Sequence, residues 1–295
     1  MNTEKLEIMK NKNGFIAALD QSGGSSGKTL KTYGIPETEY HSDEEMFDLI
    51  HEMRKRVFTS KAFTNDHIIG AILFERTMNS KVDGVYTADY LWNEKHILSF
   101  LKVDKGLQDE ANGVKLMKDI PGLVDTLKLA NERNIFGTKM RSVIYEANEK
   151  GIEDIVNQQF DFAKTICDNG LVPIIEPEVD IHSAEKEKCE EILKREVKKH
   201  LDSWDKNDKL MFKFTIPSKE NLYLNLYDYE AVVRIVALSG GYDVKTACEK
   251  LSKNHRMIAS FSRALLQNLN VHQTQEEFDK ALGDAIEEIY KASIT

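Results

Sequence analysis

Eight short apolar runs, each separated from the next by a longer amphipathic stretch, limit the folds open to this chain more than any other feature. Runs of this length are typical of buried strands, and the stretches between them have helical spacing. Because parallel strands need crossover connections, the alternation predicts a parallel sheet covered by helices. The runs are residues 15–19, 67–74, 97–103, 136–144, 171–175, 210–215, 233–238 and 257–261.

The length of the chain favours one way of arranging eight such units. A chain of 295 residues suits a closed (β/α)8 barrel, the TIM barrel of the α/β class. No linker or low-complexity stretch divides the chain, so residues 1–295 are predicted to form a single domain. An open, doubly wound parallel sheet is the main alternative.

Helix-start signals lie between several of the apolar runs. Ser42 and Thr274 each precede a glutamate by three residues, the spacing of a capping box. Pro121 and Gly122 are expected to open another helix, with proline in the first turn. The heavily charged stretch 184–200 is expected to be a solvated helix.

Composition excludes several classes of protein. The net charge of -9 is spread along the chain with no basic stripe, which argues against nucleic acid as a partner. No apolar run approaches the length of about 20 residues that crosses a membrane, and no signal segment is recognisable. The three cysteines are far apart and form no CxxC pair, which favours a reducing, cytoplasmic location.

A metal site is not expected. The eight histidines show neither HxH nor HExxH spacing, and only His182 follows closely on a strand end. The sequence therefore predicts no metal and disfavours a zinc-dependent enzyme.

Polar residues occupy the strand ends, where barrel enzymes carry their chemistry. Buried lysine is costly unless it is paired, and several of these lysines interrupt apolar runs. A purely structural lattice of charges is the alternative, although such lattices stabilise proteins poorly. The residues at or near the strand ends are Asp20, Lys102, Lys139, Arg141, Glu176, Glu178, Lys213, Ser239, Gly240, Gly241, Ser262 and Arg263.

The alternation of side chains along a strand predicts which of these residues face the barrel interior. Lys139 and Arg141 share one face of their strand, and Glu176 and Glu178 share one face of theirs. The phenylalanines on either side of Lys213 would face the helices, which directs Lys213 inward.

Paired interior lysines suit one kind of chemistry in particular. A lysine must be neutral to attack a carbonyl, and a second ammonium group about 4–5 Å away disfavours the protonated form. Lys213 and Lys139 are the predicted pair. Schiff-base formation also needs groups that move protons, a role open to Glu176, Glu178 and Asp20.

Two stretches resemble phosphate-binding loops. The Gly-Gly turn at Ser239–Gly241 and Arg263 follow the seventh and eighth strands, the usual phosphate site of barrels. Residues 19–30 read LDQSGGSSGKTL, and their end matches the nucleotide-binding pattern G-x-x-x-x-G-K-[ST]. Ser22, however, stands where that pattern needs its first glycine.

Considered together, these segments resemble class I fructose-bisphosphate aldolase, and the bacterial members most closely. The resemblance covers nearly the whole chain, and its specificity lies in the combination and order of the segments. They are AALDQSGGSSGKTL, GAILFERT, KVDKG, GTKMRSVI, GLVPIIEPEVD, MFKFTIP, ALSGG and SFSRALLQ.

The resemblance implies a role for each residue that matches the family pattern. Lys213 would form the Schiff base with Lys139 as its cationic neighbour, and Glu176 would be the main general acid and base. Glu178 would lie beside it, and Asp20 would assist cleavage of the C3–C4 bond. The implied contacts to the substrate hydroxyls and 6-phosphate are Ser22, Ser25, Lys102 and Arg141, and those to the 1-phosphate are Ser239, Gly240, Gly241 and Arg263.

The sequence departs from the family pattern at two positions. Gln21 replaces a glutamate that often follows the first-strand aspartate, and Ser262 replaces the glycine that animal members have before the arginine. Animal members also place a C-terminal tyrosine over the site, a role that does not transfer simply to Tyr290. The residue that protonates the enamine therefore stays unassigned.

The resemblance implies reversible cleavage of fructose 1,6-bisphosphate to dihydroxyacetone phosphate and glyceraldehyde 3-phosphate, as in glycolysis, with sugar phosphates as partners and no cofactor. Three alternatives remain open at this point. They are another Schiff-base or transaldolase-like enzyme, a P-loop nucleotide hydrolase, and a non-catalytic sugar-phosphate binding protein. Assembly into a homo-oligomer is also left open by the sequence.

Overall fold

A computed structural model describes residues 2–22 and 24–295 of the chain. Its strands are β1 Phe15–Leu19, β2 Ile68–Leu73, β3 Lys81–Val82, β4 Val85–Tyr86, β5 Leu98–Lys102, β6 Val114–Lys115, β7 Gly137–Ile144, β8 Val172–Val179, β9 Leu210–Thr215, β10 Val232–Leu238 and β11 Met257–Ala259. Its α-helices are α1 Thr3–Asn11, α2 Gly24–Tyr33, α3 Asp43–Thr59, α4 Glu75–Asn79, α5 Thr87–Asn93, α6 Leu123–Glu132, α7 Glu149–Asp168, α8 Lys186–Leu201, α9 Val244–Leu251, α10 Arg263–Leu266 and α11 Gln275–Ser293. Two short 3-10 helices span Glu37–Glu39 and Leu224–Asp228.

Eight parallel strands form a barrel in the order β1-β2-β5-β7-β8-β9-β10-β11. Neighbours in the sheet are also neighbours in the order of barrel strands along the chain, which an open doubly wound sheet would not show. The backbone N–H of Ala18 on β1 donates to the carbonyl of Phe261, two residues after β11, at 3.3 Å and so joins the end of the last strand to the first. The predicted (β/α)8 barrel is therefore confirmed, and the open-sheet alternative is wrong.

Apolar side chains on the two faces of the barrel strands form two separate cores. Phe212 and Phe214 belong to the outer core between strands and helices, and Phe212 packs against Phe160 of α7 at a ring distance of 6.2 Å. Their orientation leaves Lys213 inside the barrel, as predicted. The inner core closes the centre of the barrel below that level, with Ile16, Phe100, Met211 and Val236 among its members.

The strand bounds match the predicted runs closely, with one difference that matters for the site. Strand β8 continues to Val179 and stays paired with β7 through Glu176, Pro177 and Glu178. On its other side, the pairing of β8 with β9 ends at Ile175. Pro177 lies just beyond that point, and because proline has no backbone N–H it leaves no donor that needs a partner. Glu176 and Glu178 are thus held within a strand rather than at a frayed rim.

Three features of the outer shell differ from the sequence prediction. Helix α1, which the apolar pattern did not indicate, covers the N-terminal end of the barrel, where Arg234 donates to the carbonyls of Met9 and Lys12. Helix α6 begins after Gly122, whose φ of 70° is left-handed, rather than at Pro121. Thr274 forms a complete capping box, whereas Ser42 caps its helix without the reciprocal half.

Candidate active site

Glu176 bridges two lysines in the interior of the barrel. Its Oε1 lies 3.1 Å from Nζ of Lys213 on β9, and its Oε2 lies 3.1 Å from Nζ of Lys139 on β7. All three side chains are at most 6% exposed. The contact to Lys139 is an ion pair rather than an aligned hydrogen bond, since Oε2 has no hydrogen-bond partner among the described residues. The lysines predicted to be neighbours are therefore joined through a carboxylate.

Lys139 lies at the centre of this cluster and is surrounded by acidic groups. Its Nζ is 2.8 Å from Oδ2 of Asp20 and 4.0 Å from Oδ2 of Asp104. Burial by itself would lower the pKa of Lys139, but the carboxylates of Asp20, Glu176 and Asp104 raise it well above its usual value. Lys139 is consequently a fixed positive charge at neutral pH.

Asp20 is ionised for the complementary reason. Burial opposes its charged form, but the ammonium groups of Lys139 and Lys213 outweigh burial and lower the pKa of Asp20 to about 2. The carboxylate stands just beyond the end of β1, where it can accept hydrogen bonds at any physiological pH. Asp20 is thus suited to bind a hydroxyl group and to hold Lys139 in place.

A cavity of about 280 Å³ opens next to this cluster. Its walls come from the ends of β1, β5 and β7 and from the first turn of α2. The hydroxyl of Ser25 donates to the carbonyl of Ser22 and accepts from its amide, so both serines lie at the mouth in a defined turn. The residues that line the cavity are Asp20, Gln21, Ser22, Ser25, Lys102, Asp104, Gly106, Leu107 and Arg141.

Arg141 and Glu178 form an ion pair at the wall of this cavity. Nε of Arg141 is 2.5 Å from Oε2 of Glu178. Burial alone would lower the pKa of Arg141, but the carboxylate of Glu178 raises it above its usual value. Glu178 is therefore engaged by arginine, whereas Glu176 is engaged by the lysines, and the two glutamates have different environments.

The second predicted phosphate set lies at the same end of the barrel but outside that cavity. Ser239, Gly240 and Gly241 follow β10, and Arg263 follows the adjacent strand β11. Gly240 has a φ of 63°, and a Cβ at this position would lie 2.7 Å from the side chain of Ile181. The left-handed φ and the close approach of Ile181 both favour glycine at this position.

The structure adds residues that the sequence analysis did not single out. Asp104 belongs to the quoted segment KVDKG, and the strand-end rule that selected Lys102 applies to it equally. Nothing in the sequence marks Arg54, because it lies on α3 in an ordinary amphipathic pattern. Its buried guanidinium donates to the backbone carbonyl of Gln21 at 2.6 Å and to Thr77 at 2.8 Å.

Three further expectations concern residues away from the cluster. The segment that resembles a P-loop continues into helix α2, which begins at Gly24 and contains Ser25, Gly27 and Lys28. Tyr290 packs against His67, at the end of the barrel opposite the lysines. In the described ranges, no helix is long and apolar enough for a membrane span, and no cluster of three or more His, Cys, Asp or Glu could hold a metal.

The fold and the cluster together indicate a class of protein. A buried lysine in contact with a carboxylate can lose a proton to it and attack a carbonyl carbon. A cavity lined by Lys102 and Arg141 beside that cluster suits a phosphorylated substrate. These features define a barrel enzyme that forms a Schiff base between lysine and a phosphorylated ketone.

Comparisons with known proteins name the family. The family model "Fructose-bisphosphate aldolase class-I" matches residues 2–211. A "Fructose-bisphosphate aldolase class 1" of Clostridium acetobutylicum is 59% identical over 295 residues, which is the full length of both chains. The chain therefore belongs to the class I fructose-bisphosphate aldolase family. It is a lyase that cleaves fructose 1,6-bisphosphate reversibly through a lysine Schiff base, usually in glycolysis.

Solved structures agree on the fold. A fructose-bisphosphate aldolase from Plasmodium falciparum superposes with a TM-score of 0.78 at 20% identity, covering 98% of this chain and 93% of that one. The protein Cgl0159 from Corynebacterium glutamicum superposes with a TM-score of 0.51 at 10% identity, covering 99% and 92%. At these identities the likeness concerns the barrel architecture alone.

Proposed function

We propose that Lys213 is the nucleophile of this aldolase and that Glu176 moves its protons. The observation that carries this assignment is the 3.1 Å contact between Oε1 of Glu176 and Nζ of Lys213. Glu176 takes a proton from the ammonium group, the neutral amine attacks C2 of the ketose, and Glu176 returns a proton as water leaves. Lys139 holds Glu176 in place through its other oxygen, at 3.1 Å.

Asp20 and Lys139 act together in the next step of this proposal. Asp20 accepts a hydrogen bond from the C4 hydroxyl and takes its proton as the C3–C4 bond breaks and the C4 oxygen becomes the carbonyl of the aldehyde. The electrons of that bond move into the iminium group on Lys213 and form an enamine, and the aldehyde product leaves. Because the pKa of Asp20 is about 2, Asp20 is a weak base and takes this proton only as the C3–C4 bond breaks; before that it orients the hydroxyl and holds Lys139.

The two ends of the substrate are assigned to the two phosphate sets. We assign the 6-phosphate and nearby hydroxyls to the cavity, at Ser22, Ser25, Lys102 and Arg141, because these residues line it with two cations and two hydroxyls. We assign the 1-phosphate to the turn Ser239–Gly241 and to Arg263, because backbone amides and an exposed guanidinium follow adjacent strands there.

The experiment that tests the nucleophile is borohydride trapping in the presence of dihydroxyacetone phosphate, followed by peptide mapping. We expect the reduced adduct on the peptide that contains Lys213, and no adduct or cleavage activity in Lys213→Met. Lys105→Met is the matched control, since Lys105 lies outside the interior cluster and pairs with Glu75 at the surface. An adduct on Lys139 or Lys102, or activity abolished by EDTA, would contradict the proposal.

Three broader properties are proposed with the reaction. We infer that residues 1–295 act as one domain, supported by the single sheet that contains all eight barrel strands. We infer a cytoplasmic location, supported by three free cysteines and by the sugar-phosphate substrate. Assembly into a homo-oligomer remains a prediction that light scattering of the purified protein would check.

A further inference from the structure

Asp104 occupies a position in the site to which the roles above assign nothing. It follows β5 and is 7% exposed. Its Oδ1 lies 3.0 Å from Nζ of Lys102 and accepts from the amide of Gly106 at 3.4 Å. These contacts fix the carboxylate on one side only and turn its other oxygen toward Lys139.

The second oxygen of Asp104 is an unused acceptor. Oδ2 is 4.0 Å from Nζ of Lys139, beyond hydrogen-bond reach, and it has no hydrogen-bond partner among residues 2–22 and 24–295. Asp104 also lines the cavity beside the lysine cluster. A buried acceptor without a partner costs about 1–3 kcal/mol, so this oxygen is placed where a donor from a bound molecule would relieve that cost.

The order of contacts through the site indicates which donor that is. Starting from Lys213, the contacts run through Glu176 to Lys139, and from Lys139 through Asp104 to Lys102. On the proposed assignments, Lys213 binds C2 and Lys102 lies near the 6-phosphate. Asp104 is therefore on the aldehyde half of the substrate, between the group at C4 and the terminal phosphate.

We propose that Asp104 is a specificity-determining residue whose free carboxylate oxygen accepts a hydrogen bond from the C5 hydroxyl of the ketose. This hydroxyl is the one next to the aldehyde carbon in the three-carbon product. The inference rests on the proposed assignment of Lys213 and of the 6-phosphate subsite. Its consequence is that the enzyme selects aldehydes bearing a hydroxyl at that carbon.

The test uses the condensation direction with dihydroxyacetone phosphate and two aldehydes. One aldehyde is glyceraldehyde 3-phosphate, and the other is 3-phosphooxypropanal, which lacks the hydroxyl. The readout is kcat/KM for glyceraldehyde 3-phosphate divided by kcat/KM for 3-phosphooxypropanal. This ratio does not depend on the folded fraction of a preparation. In Asp104→Ala this ratio should fall about 10- to 100-fold, the loss expected for a hydrogen bond to a charged group.

Two further variants sharpen the result. Asp104→Asn keeps the side-chain volume and should lower the ratio less than Asp104→Ala, since a neutral amide forms the weaker hydrogen bond. Asp109→Ala removes an exposed carboxylate from the same loop and should leave the ratio as in the wild type. A ratio within twofold of wild type in both Asp104 variants would overturn the proposal, as would inactivity of both toward both aldehydes.

Borohydride trapping on the same preparations separates this inference from the proposed function. Trapping needs only dihydroxyacetone phosphate and so does not involve the aldehyde half of the site. Failure of the wild type to trap on Lys213 would refute the assigned nucleophile. Normal trapping with an unchanged aldehyde ratio would refute the role of Asp104 alone and leave it as a group that orients Lys102 and Lys139.

Discussion

The side-chain amide of Gln21 donates a hydrogen bond to the hydroxyl of Ser262. The resemblance to the family marks both residues as departures, Gln21 from a glutamate that is frequent there and Ser262 from the glycine of animal members, and the contact joins the loop after β1 to the turn after β11. Gln21 also donates to the carbonyl of Ala18 at 3.3 Å and accepts from Arg54 at 3.2 Å. The two departures therefore form one bridge across the closing seam of the barrel, between the two proposed phosphate sets.

Breaking this bridge should weaken substrate binding more than chemistry. Gln21→Ala and Ser262→Ala should each raise KM for fructose 1,6-bisphosphate about 2- to 10-fold, the value of one hydrogen bond, with kcat nearly unchanged. The KM of the double variant should be no higher than that of the more affected single variant, because both substitutions remove the same contact. Additive effects would contradict the coupling. The control combines Gln21→Ala with Ser203→Ala, which lies in an exposed turn after α8. The effects of these two substitutions on KM should be additive.

Glu176→Gln should slow imine formation far more than Glu178→Gln does. Of these two glutamates, Glu176 is the one that contacts both lysines, and loss of a general acid and base typically costs about 10²- to 10⁴-fold. Glu178 pairs with Arg141, so its replacement should act mainly on KM. The measurement is the rate of borohydride-trappable adduct after rapid mixing. If both variants lost the same fraction of the rate, the different ion pairs of Glu176 and Glu178 would not correspond to different roles.

Asp20→Ala should abolish most cleavage activity, whereas Lys28→Ala should be mild. Asp20 contacts Lys139 at 2.8 Å inside the barrel, while Lys28 is exposed on α2. We expect a loss of about 100-fold or more for Asp20→Ala and less than about threefold for Lys28→Ala in a steady-state cleavage assay. The reverse ranking would indicate that the resemblance of this segment to a nucleotide-binding loop has functional meaning after all.

Asp20 should also contribute to the acid sensitivity of the fold. Its pKa is about 2 in the folded protein, below its usual value, so the unfolded state binds more protons as the pH falls. The contribution is complete above about pH 4 and is lost between about pH 4 and pH 2, with a size of about 2 kcal/mol. The free energy of unfolding in urea should therefore decline less steeply from pH 5 to pH 3 in Asp20→Asn than in the wild type. If the free energy of unfolding declined equally in the two proteins, Asp20 would not be an ionised group that stabilises the fold.

The strand positions could be read from the sequence because they depend on local pattern. Strands β1 and β9 have the predicted bounds, and the placement of Lys213 inside the barrel follows from the alternation of side chains along β9. Helix α1 could not be read in this way, because its main contacts are backbone carbonyls that accept from Arg234 on a strand far along the chain.

The sequence by itself determined the barrel, the family and the identity of the charged residues at the strand ends. Strand alternation and periodicity are local properties, and they are written directly in the order of residues. Only the tertiary structure decided which charges meet: Glu176 between Lys213 and Lys139, Glu178 on Arg141, and Asp104 with one oxygen that no described residue contacts by a hydrogen bond. Such pairings depend on the register between strands and on distances of a few ångströms, and no spacing along the chain specifies them.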